Sequence, residues 1–410
     1  MEFDYRTLND FELKDKRVLL RLDINSPLDP TTKQILDDSR IVASRPTLDA
    51  LAEARVVVLS HQSRPGKDDF TPLQQHAELL QKVCSQRVKF VDDVIGPAAR
   101  DAIKETKKGE VLVLDNVRLC AEENLEEKGK KLAKTNLVSR LAPLFNLYVN
   151  DAFATSHRSH ASLVGFPYLL PSAAGKLMEK ELSALNRLLK QPERPSTYVL
   201  GGAKIEDKVP VIENILATGK VDNVLVGGNV GKVFLKAQGH KFHDAEEEIL
   251  SKATDQVQKA NEMLRKFEKQ IILPIDFGTL AEGKRVDVDI KKLARTGEAL
   301  DIGVDTAEKF AKTIRESRTV VASGPLGVFE QDGFETGTKM MLEAMANTNA
   351  FTVIGGGHLA GYAGILRIHE RLSHVSTAGG AMLSLLAGEE LPAIVALVDA
   401  PKQYGKTSRL

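Results

Sequence analysis

Residues 55–64 read Arg-Val-Val-Val-Leu-Ser-His-Gln-Ser-Arg, an unbroken apolar run that ends in a polar, cationic turn. A strand with one face in water would alternate apolar and polar residues, so this run predicts a parallel strand covered on both faces. Similar runs recur, each leading through a polar or glycine-rich turn towards a helical pattern: Arg17–Asp23, Val111–Asp115, Leu147–Asn150, Tyr198–Leu200, Asn223–Val226, Ile271–Ile275, Thr319–Ala322 and Phe351–Ile354. This alternation predicts an α/β fold with doubly wound parallel sheets.

The composition is that of a globular chain. Its 410 residues exceed the usual size of one domain, so two or three domains are expected. Lys plus Arg and Asp plus Glu each number 56, and this zero net charge argues against nucleic-acid binding through a basic surface. The polar opening Met1–Tyr5 predicts no signal peptide, and no apolar run approaches a membrane span. Two cysteines, Cys84 and Cys120, lack metal-site spacing. A cytoplasmic protein without membrane or nucleic-acid partners is expected.

The helix formers and breakers predict the domain organisation. A boundary is expected near Phe166–Pro171, after which Ala173–Lys190 is rich in good helix formers and is predicted as one helix. Pro192 and Pro195 end that helix before the next strand. The predicted parts are an N-terminal domain, residues 1–170, a connecting hinge helix, residues 171–190, and a C-terminal domain, residues 191–385. Both domains are predicted to be doubly wound and Rossmann-like.

Two charged segments are also interpreted from their pattern. Glu246–Lys266 carries apolar residues at helical spacing and is predicted as a helix. Glu122–Lys134 is dense in charge and is predicted to be a solvated face.

The polar side chains of the first half gather where the predicted strands end. In an open α/β sheet, ligands bind beyond the carboxyl ends of the strands, so these positions carry the function. The residues there are Asp23, Asn25, His61, Arg64, Arg118, His157, Arg158 and His160, with Arg40 added from a loop. Arginine pairs bidentately with phosphate and carboxylate oxygens, which predicts a site for a small, multiply charged anion.

The strand ends of the second half are rich in glycine instead. They read Gly201-Gly202-Ala203-Lys204, Gly227-Gly228-Asn229, Ser323-Gly324-Pro325-Leu326-Gly327 and Gly355-Gly356-Gly357-His358. Glycine lets the backbone approach a ligand closely and present N–H groups at a helix start, an arrangement that holds nucleotide phosphates. Lys204 and Lys208 are placed to add cations.

Other interpretations compete with this one. The P-loop pattern is absent, because Gly227–Val233 has the wrong spacing and ends in valine. Gly355, Gly357 and Ala360 match a dinucleotide-binding pattern, which leaves an NAD-dependent dehydrogenase as an alternative, although no acidic residue follows at the expected distance. Taken singly, Asp23 and Asn25 could cap a turn, His61 and Arg64 could be surface residues of a loop, and His157 and His160 could be hydrogen-bonded scaffold. The joint pattern favours a site.

Six strings of the chain resemble the motifs of the phosphoglycerate kinase family. They are Arg21–Pro27, Ser60–Pro65, Asn150–Arg158, Gly201–Lys208, Gly324–Glu330 and Ser373–Gly380. They occur in the family's order over nearly the whole chain. The resemblance implies an enzyme that moves a phosphoryl group reversibly between 1,3-bisphosphoglycerate and ADP, giving 3-phosphoglycerate and ATP, with Mg²⁺ carried by the nucleotide. It also implies that residues 386–410 return to the N-terminal domain.

Position by position, the resemblance implies two sets of binding residues. Those for the glycerate are Asp23, Ile24, Asn25, Arg40, His61, Gln62, Ser63, Arg64, Arg118 and Arg158 in the N-terminal domain. Those for the nucleotide are Gly202, Ala203, Lys208, Gly227, Gly228, Gly324, Pro325, Glu330, Gly355, Gly356, Gly357 and His358. Arg40 and Lys204 are implied to stabilise the transferring phosphoryl group, and Lys208 to contact the nucleotide phosphates, so these three form the catalytic set.

Three positions depart from the family's pattern. His358 and Leu359 stand where Asp and Thr are usual after the triple glycine, and Ser323 stands where asparagine is usual. Neutral imidazole is a poor magnesium ligand, so the residues that contact the metal stay unknown. In having a histidine at position 358, the chain resembles the archaeal branch of the family.

An acyl phosphate needs little acid–base help, so alignment and cations around the equatorial oxygens are expected to supply catalysis. Water must be excluded, which favours hinge closure once both ligands are bound. A catalytically silent protein that binds nucleotide or glycerate stays an alternative. Either a monomer or a homodimer fits the sequence.

Overall fold

The computed structural model describes residues 4–404, with side chains described up to residue 400. The chain divides into two compact units: unit 1 runs to Asn186 and resumes at Glu390, and unit 2 is Arg187–Glu389. Each contains a six-stranded parallel sheet, so the predicted α/β fold class is confirmed. Within the described residues, no helix combines the length and apolar character needed to cross a bilayer.

The sheet of unit 1 has the strand order β3-β4-β2-β1-β5-β6. Its strands are β1 (Arg17–Arg21), β2 (Arg55–Leu59), β3 (Arg87–Val91), β4 (Glu110–Leu114), β5 (Leu147–Asn150) and β6 (Ser172–Ala174). The helices are α1 (Ser39–Ala43), α2 (Arg45–Ala50), α3 (Gln74–Val83), α4 (Pro97–Glu105), α5 (Gly129–Leu132), α6 (Asn136–Leu141) and α7 (Lys176–Lys190), with short 3₁₀ turns at Val117–Leu119 and Ala121–Asn124.

Helices cover both faces of this sheet, as the unbroken apolar runs predict. Val18 and Leu20 pack into one hydrophobic core, and Leu19, which points the other way, packs into a second. In β2, Val56 joins the first core and Val57 the second. Burying each such side chain contributes on the order of 2 kcal/mol, so these strands are strongly held in register.

Unit 2 contains the second parallel sheet, ordered β15-β14-β13-β7-β8-β9, and a three-stranded antiparallel sheet, β11-β10-β12. Its strands are β7 (Ser196–Leu200), β8 (Asn223–Val226), β9 (Ile271–Ile272), β10 (Asp276–Ala281), β11 (Lys284–Asp289), β12 (Glu298–Ile302), β13 (Thr319–Ser323), β14 (Phe351–Gly355) and β15 (His374–Ser376). The helices are α8 (Ile205–Ala217), α9 (Gly228–Ala237), α10 (Asp244–Ser251), α11 (Thr254–Phe267), α12 (Val304–Glu316), α13 (Thr336–Ala346), α14 (Gly357–Ile365) and α15 (Gly379–Leu386).

Two predicted helices are wrong in their limits. The helix expected over Ala173–Lys190 begins only at Lys176, because Ser172–Ala174 forms an edge strand beside β5. Asp151 accepts a hydrogen bond from the Met178 N–H at 3.0 Å, which satisfies the first turn of α7. The helix expected over Glu246–Lys266 is split into α10 and α11, because Ala253 leaves helical geometry between them.

The last helix, α16 (Pro392–Tyr404), packs in unit 1. Ala393 and Ala396 join the hydrophobic core there, and the Ala393 N–H donates to the Ser156 carbonyl at 3.1 Å. Because Ser156 immediately precedes His157, this helix supports a loop that carries predicted site residues.

Candidate active site

The first group of predicted residues lies where the strand order of unit 1 reverses. Strand β1 lies between β2 and β5. The chain continues from β1 to β2 on one side, whereas from β5 it continues to β6 on the other side, so these two neighbouring strands lead away in opposite directions. Such a switch point opens a crevice at the carboxyl ends of the strands. Asp23 follows β1, His61 follows β2, Arg118 follows β4 and Arg158 follows β5.

Direct contacts join several of these residues. The Arg40 guanidinium lies 2.9 Å from an Asp23 carboxylate oxygen. The Asn25 side-chain oxygen accepts the Ser63 N–H at 2.7 Å and supports Ser63 in a left-handed conformation with φ of 54°. Arg118 donates to the Ser63 carbonyl. The structure therefore brings the loops after β1, β2 and β4 together.

Neighbouring residues of the predicted set hold these loops in place. The Ile24 N–H donates to the Ser60 hydroxyl at 3.3 Å. The Gln62 side chain accepts from the Ser26 N–H at 3.0 Å and donates to the Ser26 carbonyl at 2.9 Å. The Ile24 N–H and the Gln62 side-chain amide are thus bonded to other groups of the protein, and both residues support the cluster.

The arginines form an electrostatically crowded cluster. Burial, together with the positive charges of Arg158, Arg21 and Arg64, lowers the pKa of Arg118 to about 10, although Glu123 opposes this shift. Burial and the charge of Arg64 also lower the pKa of Arg158. The buried Asp23 Oδ2 and Arg118 Nε atoms have no hydrogen-bond partner. Buried polar atoms are rarely unpaired: the free guanidinium N–H suits an anionic oxygen, and the free carboxylate oxygen suits a hydroxyl donor.

A buried network lies beneath this cluster, and three of its members, Arg21, Glu123 and Ser162, were not predicted as site residues. It consists of Arg21, His61, Glu123, His160 and Ser162, each at most 5% exposed. The prediction that Glu122–Lys134 is solvated is wrong at Glu123, which is fully buried. One signal was available: Arg21 ends an apolar strand, and a buried guanidinium requires a counter-ion.

The protonation of this network favours neutral imidazoles. Burial, together with the charges of Arg21, Arg118 and Arg40, holds the pKa of His61 well below its usual range. The pKa of His160 is lowered to about 3 by burial and by the charges of Arg118, Arg158 and Arg21. Both rings are therefore neutral near pH 7 and act as hydrogen-bonding scaffold rather than as additional cations.

The second group of predicted residues lies at the switch point of unit 2, between β7 and β13. The Gly201 N–H donates to the Ser323 carbonyl at 3.0 Å, and the Gly228 N–H donates to the Leu326 carbonyl at 3.0 Å. A Cβ atom on Gly201 would overlap the Pro325 carbonyl oxygen. Glycine is therefore required for these turns to approach each other, and the three turns after β7, β8 and β13 form one surface.

Two lysines extend from this surface. Lys204 precedes the first turn of α8 and is exposed, whereas Lys208 lies one turn later and is mostly buried. The Lys208 ammonium donates to the Ser323 hydroxyl at 2.7 Å. Burial, and to a lesser extent the charge of Lys204, lowers the pKa of Lys208 to about 8, although Asp207 opposes this. An anionic ligand would reverse that shift.

The remaining predicted residues follow β14 and β13. Gly356 has φ of 105°, a conformation that favours glycine, and α14 begins directly after it. His358 is exposed, and its ring centroid lies 6.3 Å from that of Phe329. Glu330 is exposed on the loop that contains Pro325. The backbone N–H groups at the start of α14 are thus available to an anion.

Metal-binding side chains do not gather within residues 4–400. No three His, Cys, Asp or Glu side chains of this part are arranged to hold a metal ion. Magnesium prefers oxygen ligands and near-octahedral geometry. A magnesium ion held by protein side chains alone does not fit this part of the chain.

A chain with two such sheets, an arginine cluster in one unit and glycine turns in the other has the features of a kinase that acts on a small molecule. Residues 8–389 match the family described as Phosphoglycerate kinase. The chain belongs to the phosphoglycerate kinase family. It is a phosphotransferase with a carboxyl group as acceptor, and its substrates are small molecules that include ATP or ADP.

Individual relatives agree with this assignment. A phosphoglycerate kinase of Methanobacterium bryantii is 44% identical over 403 residues, which is 97% of this chain and 98% of that one. The crystal structure of the Pyrococcus horikoshii phosphoglycerate kinase has a TM-score of 0.90 at 41% identity and covers 97% of this chain and 100% of that one. The Coxiella burnetii phosphoglycerate kinase has a TM-score of 0.79 at 33% identity, covering 96% and 98%. The archaeal resemblance is confirmed, and the dehydrogenase alternative is excluded.

Proposed function

We propose that unit 1 binds the glycerate and unit 2 binds the Mg-nucleotide in the glycolytic reaction 1,3-bisphosphoglycerate + ADP ⇌ 3-phosphoglycerate + ATP. The observation that carries the glycerate assignment is the pair of buried, unpartnered atoms, Asp23 Oδ2 and Arg118 Nε, within the arginine cluster. A ligand with a hydroxyl group and anionic oxygens supplies both missing partners.

The arginines divide the charged ends of the glycerate between them. Arg64 and Arg158 lie close enough to Arg118 to lower its pKa, and Arg64 also lowers the pKa of Arg158. A phosphate or carboxylate relieves the repulsion among these three cations. Asp23 accepts a hydrogen bond from the ligand hydroxyl. Asn25, His61, Gln62 and Ser63 keep the loops in place.

The nucleotide is held chiefly by backbone. The turns at Gly202-Ala203, Gly227-Gly228 and Gly324-Pro325 form a surface without bulky side chains, on which a flat base can lie. Glu330 is proposed to meet the ribose. The backbone N–H groups from Gly355 to His358 face the phosphates at the start of α14, with Lys208 as their cation. Mg²⁺ enters bound to the nucleotide phosphates and water.

Transfer requires little covalent help from the protein. In the direction of ATP use, a carboxylate oxygen of 3-phosphoglycerate attacks the γ-phosphorus, and the bond from that phosphorus to the ADP oxygen breaks. The attacking carboxylate carries no proton, so no general base is needed. Arg40 and Lys204 stabilise the charge on the equatorial oxygens.

The two ligands must be brought into line and protected from water during transfer. We propose that residues 171–190 act as the hinge between a glycerate domain, residues 1–170, and a nucleotide domain, residues 191–385, with residues 386–410 joined to the glycerate domain. Closure with both ligands bound would exclude water. We also propose a cytoplasmic enzyme, monomeric or homodimeric, without nucleic-acid or membrane partners.

A coupled assay tests this function on the full chain. ATP consumption should require 3-phosphoglycerate and should yield one ADP for each acyl phosphate trapped. Consumption of ATP at the same rate without 3-phosphoglycerate, or none with it, would contradict the proposal. The second outcome would favour a silent binding protein.

The KM for nucleotide is expected to rise as the pH increases above about 8. The pKa of Lys208 is lowered to about 8 by burial, so the free enzyme loses the ammonium charge above that pH. The nucleotide phosphates favour the charged form of Lys208, so well above pH 8 the KM for nucleotide should rise by up to about tenfold per pH unit. Steady-state kinetics from pH 7 to pH 9.5 measures this. Lys208→Arg, which stays charged, should flatten the profile, and an equal rise in both proteins would contradict the role of Lys208.

Replacing His358 by alanine is expected to leave the magnesium requirement intact. Neutral imidazole is a poor ligand for this cation, and the ring contacts Phe329 instead. Titration of activity with Mg²⁺ should give the same half-saturation within about twofold in both proteins. Loss of the magnesium dependence would show that His358 belongs to the metal site.

A further inference from the structure

Glu123 is a fully buried carboxylate directly beneath the arginine cluster. One of its oxygens accepts the Ser162 N–H at 2.7 Å, and the other accepts the Ser162 hydroxyl at 2.6 Å. The Arg21 guanidinium lies 4.0 Å from it and the His160 ring 3.8 Å. Burial raises the pKa of Glu123, whereas Arg21 and Ser162 lower it. A buried charge is tolerated only with such partners, so the contacts of Glu123 are specific.

The network extends from Glu123 to the four loops that carry Asp23, Arg64, Arg118 and Arg158. Arg21 donates to the Ser162 hydroxyl at 2.8 Å and lies 3.3 Å from the His61 ring nitrogen. Each residue of this network lies within a few residues of one that is predicted to bind the glycerate. Asp23 follows Arg21 by two residues, Arg64 follows His61 by three, Arg158 precedes His160 by two, and Arg118 precedes Glu123 by five.

We propose that Glu123 is a positioning residue for glycerate binding: it holds the four ligand-bearing loops of unit 1 in register through Ser162, Arg21 and His160. This inference rests on the proposed function. Glu123 itself is not expected to touch the ligand, because it is fully buried below the cluster. Its effect on the reaction passes through the geometry of Arg118 and Arg158.

The sign of the effect separates positioning from simple electrostatics. Removing a negative charge beneath an arginine cluster would, by charge alone, strengthen the binding of an anion. If Glu123 positions the loops, its removal weakens that binding, because the arginines no longer match the ligand oxygens. A glutamine side chain has one oxygen acceptor and so satisfies only one of the two Ser162 hydrogen bonds.

Steady-state kinetics of Glu123→Gln in the full chain tests the proposal. We expect the KM for 3-phosphoglycerate to rise by about tenfold or more, with kcat and the KM for ATP changed by less than about threefold. Glu123→Asp should recover part of the loss. Ser162→Ala keeps the carboxylate but removes the hydroxyl bridge to Arg21, and it should raise the same KM by about threefold or more. If Glu123→Gln does not fold, the Ser162→Ala result decides.

Glu246→Gln in unit 2 is the matched control. Glu246 is 1% exposed and pairs with the buried Lys232 at 3.3 Å, but it lies outside the glycerate site. Its loss should lower the free energy of unfolding without raising the KM for 3-phosphoglycerate. An unchanged or lower KM in the folded Glu123 and Ser162 variants would overturn the positioning role. A wild-type protein that uses no ATP with 3-phosphoglycerate would instead contradict the proposed function.

Discussion

Arg40→Ala is expected to lower kcat by about a hundredfold, while the KM for 3-phosphoglycerate rises by less than about tenfold. Arg40 lies on the short helix α1, and its guanidinium is held 2.9 Å from Asp23, so it is placed at the edge of the arginine cluster. A cation that meets the transferring phosphoryl group mainly in the transition state contributes to kcat more than to ground-state binding. Steady-state kinetics in the direction of ATP use measures both constants.

Two further variants control for this result. Arg40→Lys keeps the charge but loses the planar fork, so it should recover only part of the rate. Arg45→Ala removes an exposed arginine from the neighbouring helix α2, where it pairs with Asp49, and should leave kcat unchanged. An unaltered kcat in Arg40→Ala would show that Arg40 does not stabilise the phosphoryl group.

Gly324→Ala is expected to raise the KM for nucleotide by about a hundredfold or more and to leave glycerate binding unchanged. Gly324 has φ of 83°, and a Cβ atom there would overlap the Gly201 carbonyl oxygen. Because both partners are backbone, relief requires the turns after β7 and β13 to separate. That movement distorts the surface proposed to hold the base.

Gly239→Ala is the matched control for backbone strain. Gly239 has φ of 91°, but a Cβ atom there meets nothing within 4 Å. Both substitutions should cost about 1–2 kcal/mol of stability from strain alone, whereas only Gly324→Ala should change nucleotide binding. Similar nucleotide KM values in the two variants would contradict the need for close contact between the turns.

Most parallel strands were predictable because each is a short, continuously apolar run buried on both faces. Strand β3 (Arg87–Val91), which is partly exposed, and β15 (His374–Ser376), which has only three residues, were not predicted. The strands β5 and β8 begin and end at the predicted residues, and β1 and β4 differ by at most two residues at either end. The strand predicted over Ile271–Ile275 was wrong at its end, because β9 stops at Ile272. The edge strand β6 was missed because Ser172–Ala174 consists of small residues that also suit a helix. Its strand pairing depends on β5, which is distant in sequence.

The candidate site was predictable where its residues follow strands, and the support beneath it was not. Arg118 and Arg158 were found because strand ends meet at one edge of a sheet. Glu123 was missed because a charge in a charge-dense segment is usually solvated, and only the tertiary position of Arg21 and Ser162 makes its burial favourable. The antiparallel sheet β11-β10-β12 was also missed, because none of its strands is a continuous apolar run and β11 is largely exposed.

Calorimetric titration of the full chain with 3-phosphoglycerate and with ADP tests most directly whether the two units divide the ligands. The wild type should bind each ligand alone. Arg64→Ala in unit 1 should weaken 3-phosphoglycerate binding by about tenfold or more and leave ADP binding unchanged, and Gly324→Ala in unit 2 should do the reverse. If both variants lose the same ligand, or if each loses both ligands equally, the glycerate and nucleotide sites are not divided between unit 1 and unit 2.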